Sequence, residues 1–129
     1  MKRIATLALV ALTGCAGVDH VGPEVPLPNP ARQAVEQAVA NKMKDPNSAE
    51  FRDWHAFQSQ KGLLVCGEVN AKNSYGGYVG FTHFVAHASA DGRLLSPAAL
   101  ASSGAGPDAL MDSIWRQYYP GCYAQSGTG

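Results

Sequence analysis

Apolar and polar positions alternate along this chain with periods that change from block to block, and the periods predict the elements. Ile4 to Leu12 forms one unbroken apolar run after Lys2 and Arg3. Val35, Val39 and Met43 recur at four-residue spacing beside Ala31 and Ala38, with Arg32, Glu36 and Lys42 elsewhere, so Ala31–Lys44 reads as an amphipathic helix. Asn29 is placed to cap it, with Pro30 in the first helical position; Lys42 and Lys44 suit its C-terminal end, and Asp45-Pro46 stops it. Three strands are expected next: Trp54–Gln58, Leu63–Ala71 and Val79–Ala90. Turns at Gln60–Gly62, Asn73–Gly77 and Asp91–Gly92 bound them, and Arg93–Leu95 offers a short fourth strand.

Beyond a Ser/Ala/Gly-rich loop at 96–106, Leu110, Ile114 and Tyr118 form one stripe with Met111 and Trp115 beside it. Pro107 to Tyr118 is therefore a second expected helix, ended by Pro120-Gly121, and 125–129 is expected to be a disordered tail. The order α-β-β-β-α predicts one α+β domain over 31–124. Its expected form is a small antiparallel sheet of three to four strands flanked by an N-terminal and a C-terminal helix.

The first apolar run falls within the ~7–15 residues of a signal-peptide core and is short of the ~20 that span a bilayer. It ends on Leu12-Thr13-Gly14-Cys15, which resembles the lipobox of bacterial lipoproteins. That resemblance implies removal of 1–14 as a signal peptide and acylation of Cys15, with palmitate-type chains, as the first mature residue. The membrane is then a partner through this lipid. Ala16, where an aspartate favours the inner membrane in such proteins, implies the outer membrane, with the domain facing the periplasm. Pro23, Pro26, Pro28 and Pro30 make 15–30 an expected extended tether.

Charge narrows the partners. Ten basic residues balance ten acidic ones and no basic patch stands out, which argues against nucleic acid. With Cys15 acylated, Cys66 and Cys122 remain in a compartment where disulfides persist, and a bond between them is expected. The competing reading makes Cys66 a nucleophile with His55, His83 or His87 as base, although no nucleophile motif surrounds it. His83 and His87 have a spacing that suits a shared metal on a helix. On a strand they lie ~13 Å apart, too far to share one ion. Glu68, on the apolar second strand, is either a buried acid or a solvent-facing residue. No phosphate loop or dinucleotide fingerprint is present, so no catalytic, cofactor or metal residues are assigned.

The most distinctive stretch runs from Cys66 to Phe81. Within it, Asn73, Ser74, Tyr75, Gly76, Gly77 and Tyr78 combine aromatic contact area with an adaptable backbone, the mixture of a partner-binding loop. The bland alternative is a hairpin whose tyrosines cover the core. This stretch, together with Lys44-Asp45-Pro46-Asn47-Ser48-Ala49-Glu50-Phe51-Arg52, resembles a pattern in short proteins of proteobacteria and their prophages, a group that implies no catalytic residues. Ser74 and Tyr78 also have the outer spacing of the serine-glycine-x-x-tyrosine loop of lipoprotein inhibitors of c-type lysozyme. Tyr75 stands at the glycine position, and those inhibitors are all-β. The expected function is a lipid-anchored, non-enzymatic binding module for another envelope component, most naturally a protein. A protective lipoprotein acting in immunity, phage exclusion or lysozyme inhibition comes second, and a small hydrolase third.

Overall fold

The central strand of the sheet is apolar on both faces apart from Glu68, and the rest of the fold is arranged to cover it. In a computed structural model that describes residues 21–101, 117 and 119–123, five antiparallel strands lie side by side in chain order. They are β1 (Glu24–Val25), β2 (Glu50–Ser59), β3 (Gly62–Asn70), β4 (Thr82–Ala88) and β5 (Ala99–Leu100). Helix α1 (Asn29–Ala40) connects β1 to β2, and a four-residue helix, α2 (Pro120–Tyr123), lies near the C-terminus. The class is α+β.

Alternation along β3 sorts the two cores. Leu63, Val65 and Val69 face α1, where Ala31, Val35 and Val39 are fully buried against them. Leu64 and Cys66 face the other way and pack with Phe57 and Val85, with Tyr119 and Cys122 over them. Cys66 and Cys122 form a disulfide with their Cα atoms 6.0 Å apart. It fastens the C-terminal segment to this second face. Closing a loop between residues 56 positions apart removes unfolded-state entropy worth roughly 4 kcal/mol.

Gly67 breaks the apolar series on the α1 face for a steric reason. The Phe84 ring lies over it from β4, so a Cβ there would come within 2.9 Å of that ring and 3.0 Å of the Arg52 carbonyl. Opposite Gly67, β2 carries a bulge between Arg52 and His55, with Asp53 at φ 54°. The extra residue turns Trp54 as well as Phe51 toward the α1 face. Their ring centroids stand 5.0 and 5.7 Å from that of Phe84, and 5.3 Å from each other.

The sheet differs from the sequence expectation in extent. Five strands replace three to four because β1 and β5, each two residues long, add to its edges. The first expected strand, Trp54–Gln58, extends back to Glu50, its alternation hidden by the bulge. The third begins at Thr82 rather than Val79, since Gly80 takes φ 103°. Arg93–Leu95 follows a turn at 90–92 and forms no strand, only a single bridge, Ala88 to Leu94. Helix α1 starts at Asn29, so Pro28 precedes it without a side-chain cap, and it ends at Ala40.

The expected tether, 15–30, is overturned from Gly22 onward. Gly22 N–H donates to the Gln58 carbonyl (2.7 Å), Gln58 N–H to that of Pro23 (3.1 Å), and β1 pairs with Phe57 and Ala56. Proline tolerates an edge strand, where its missing donor faces outward. The expected signal peptide 1–14, Cys15, the helix over 107–118 (apart from Gln117) and the tail 125–129 lie outside the described residues.

Gly67→Ala is expected to destabilise the domain by about 1–3 kcal/mol, because both the fully buried Phe84 ring and the Arg52 carbonyl would have to shift. Urea unfolding monitored by tryptophan fluorescence checks this, and an unchanged midpoint would refute the steric role.

Candidate functional site

The loop joining β3 to β4 is built around two asparagines. Asn73 Oδ1 accepts hydrogen bonds from the backbone N–H groups of Tyr75 (2.9 Å) and Gly77 (3.2 Å). The Asn73 N–H donates to the Gly77 carbonyl (2.8 Å) and Gly76 N–H returns to the Asn73 carbonyl (3.1 Å). Such side-chain-to-backbone bonds let a turn replace the ladder. Asn70 Oδ1 holds Gly80 N–H at 3.0 Å, fixing the return to β4. Gly76 supplies a φ of 80°, which a residue with a Cβ resists.

These contacts hold Tyr75 out in solvent at 96% exposure, with Val79 at 61% and Tyr78 at 45%. Ser74, Gly76 and Gly77 are exposed beside them, while Asn73 is partly buried. The six expected binding residues are therefore contiguous, and Tyr75 does not cover the core. Tyr78 leans back instead. Its hydroxyl donates to the Ser48 carbonyl (3.2 Å), and Lys72 Nζ lies 5.6 Å from its ring centre. Partial desolvation, then the neighbouring Glu50 carboxylate and the charge of Asp45, raise the Tyr78 pKa above its ordinary value of 10.0.

Ser48, which sequence reasoning left unassigned, braces the loop. It sits in the 3-10 turn Pro46–Ser48, donates its hydroxyl to the Asp45 carbonyl (2.8 Å) and accepts from Lys72 N–H (2.8 Å). Its place in the Lys44–Arg52 stretch, which shares the loop's resemblance, is the signal the sequence carries for it.

A second polar group crosses the sheet on the face opposite α1. Arg52, Glu68 and His83 are register partners on β2, β3 and β4. Arg52 Nε donates to Glu68 Oε2 at 2.7 Å, and His83 Nε2 lies 3.7 Å from Glu68 Oε1. Glu68 is thus the buried alternative, 8% exposed. Arg52 also stacks on Phe81, 3.6 Å from its centroid. His83 and His87 share this face of β4, and His87 Nδ1 is 3.2 Å from Ser96 Oγ. His55, opposite Cys66 in register, pairs with Glu24 at 2.6 Å. With the Cys66 sulfur bonded to Cys122, a Cys66–histidine nucleophile is not formed.

A groove of about 650 Å³ lies between α1 and the start of β2. Asn29, Gln33, Gln37 and Asn47 line it with carboxamides and Phe51 supplies an aromatic wall. Arg32 and Glu36, also in the lining, neutralise one another 4.0 Å apart. Beside Phe51, Trp54 Nε1 is buried with no hydrogen-bond partner among the described residues. Sequence reasoning missed this groove, because its polar residues are simply the outer face of an amphipathic helix. Compared with known proteins, the chain matches no family model, no curated protein and no solved structure.

Arg52→Ala is expected to cost about 1–3 kcal/mol, because it strips the closest cation from a buried carboxylate. Glu68→Gln, which leaves only the half-exposed Arg52 charge unpaired, should cost less. Denaturation midpoints of the two variants test this order, and equal losses would contradict it. For Tyr78, a folded pKa above the unfolded one means stability is unaffected below about pH 10 and falls as pH rises through the unfolded value. The difference between wild type and Tyr78→Phe in urea midpoint should accordingly change between pH 8 and pH 11; a constant difference would remove this linkage.

Proposed function

We propose that the chain is a lipid-anchored envelope protein whose domain is a non-enzymatic binding module, contacting another envelope protein through Asn73–Tyr78. Acylation of Cys15 provides the anchor, and Ala16 favours the outer membrane with the domain on its periplasmic side. The observation that carries the binding reading is Tyr75. A large aromatic side chain stands 96% exposed on a loop whose backbone is fixed by Asn73, Asn70 and Ser48. A rigid aromatic loses little conformational entropy on docking, and tyrosine is enriched among the residues that dominate interface energies. No packing need of the domain accounts for that exposure.

The anchor is tested by the mass of the mature N-terminal peptide, which should carry acyl chains on Cys15; an unmodified or unprocessed chain would remove it. The loop is tested by placing a photo-crosslinking residue at position 75 or, as a control on exposed α1, at position 37. A discrete protein adduct is expected from position 75 alone and should disappear with Tyr78→Ala. No adduct from 75, or the same adducts from both positions, would reject the loop as the contact surface.

A further inference from the structure

Among the described residues, five large apolar side chains are exposed, and they fall at opposite ends of the sheet. Tyr75, Tyr78 and Val79 occupy the end where Glu50 pairs with Asn70. Leu94 and Leu95, 42% and 41% exposed, occupy the end where Ser59 pairs with Gly62. Two contacts fix the leucines there: Leu94 bridges to Ala88 at the end of β4, and Leu95 Cδ1 would lie 2.7 Å from a Cβ on Gly62. Lys61, at the tip of the β2–β3 turn, and Arg93 are both exposed at this same end. The acid beside them, Asp91, accepts from the Ser89 hydroxyl, and that bond foremost holds its carboxyl below the ordinary range.

The N-terminal chain joins the domain at this end too. Gly22 is bonded to Gln58, one residue before Ser59, and β1 runs from there toward the middle of β2. Residues 16–21 alone separate Cys15 from that point. Fully extended, they reach at most ~25 Å. A lipid on Cys15 therefore holds the Ser59–Gly62 end within reach of the bilayer.

We infer that this end, with Leu94 and Leu95 between Lys61 and Arg93, rests on the surface of the anchoring membrane. The inference rests on the acylation of Cys15 proposed above. Paired leucines enter the boundary between headgroups and acyl chains, and flanking cations meet anionic headgroups, as on helices that lie in the interface. The Tyr75 loop then points away from the bilayer, with about 26 Å of β3 between it and the membrane-facing turn. Its partner is approached from the aqueous side, not from within the membrane.

The test uses the full mature protein in vesicles of phosphatidylethanolamine and phosphatidylglycerol, after mass measurement of the acylated Cys15 peptide. Hydrogen exchange is compared with the same protein in non-ionic detergent. Slower exchange at 59–62 and 91–96 in vesicles, with 73–79 unchanged, is the expected result. That protection should be lost in Leu94→Asp/Leu95→Asp, and weakened in Lys61→Glu/Arg93→Glu, while both variants stay with the vesicles through their acyl chains. Protection at 73–79, or none at either end, overturns the inference while leaving the anchor intact. An unacylated Cys15 overturns both, and the mass measurement shows which has failed.

Discussion

The tip of the Phe84 ring lies over Gly67 because β3 has no side chain there, and that contact organises both faces of the sheet. With Phe84 lowered onto β3, Trp54 and Phe51 close around it from β2. Both can do so only because the bulge at Asp53 adds a residue between Arg52 and His55. The same extra residue leaves Arg52 on the opposite face, level with Glu68 and His83, and returns His55 to that face level with Cys66. One missing Cβ thus fixes the aromatic cluster under α1, and the shift that accommodates it aligns the charged row on the other side.

That second face combines two ways of making a polar surface tolerable. At its centre, Leu64, Cys66, Phe57 and Val85 are covered through the disulfide by Cys122 and by Tyr119. At its loop end, Glu68 is buried but bonded to Arg52, whose guanidinium lies half in water against Phe81. A carboxylate in that position is costly alone and acceptable when paired. The row stands close to the strand ends that launch the Tyr75 loop, so it stiffens the platform from which the loop projects.

The sequence showed most clearly those elements whose side chains follow one period for long enough. The stripe of Ala31, Val35 and Val39, the apolar run of β3 and the asparagine-glycine chemistry of 73–77 were all legible for that reason. So was the pairing of Cys66 with Cys122, which followed from the cysteine count once an oxidising compartment was expected. Elements whose cause lies elsewhere in the fold were hidden. The start of β2 was obscured by a bulge answering to Phe84 on another strand. β1 and β5 are two residues long and exist because neighbouring edges offered partners, and β1 was masked further by Pro23 and Pro26 on either side of it. The brace from Ser48 to the loop was equally illegible, since Ser48 Oγ meets Lys72 only after the sheet has formed. The Arg32–Gln37 side of the groove looked like ordinary solvent-facing helix for the same reason.

The short strand β1 also sets how the molecule would respond to load. It runs along β2, its bonds to Phe57, Ala56 and Gln58 lying across the strand direction, with Glu24 latched to His55. A pull between the N-terminal chain and the Tyr75 loop is directed along the strands. Such a pull strains those crosswise bonds together rather than peeling them one at a time. When they do give way, residues 22–28 come free of the sheet and can extend to at most ~25 Å. β1 is therefore loaded in shear by any pull directed along the strands.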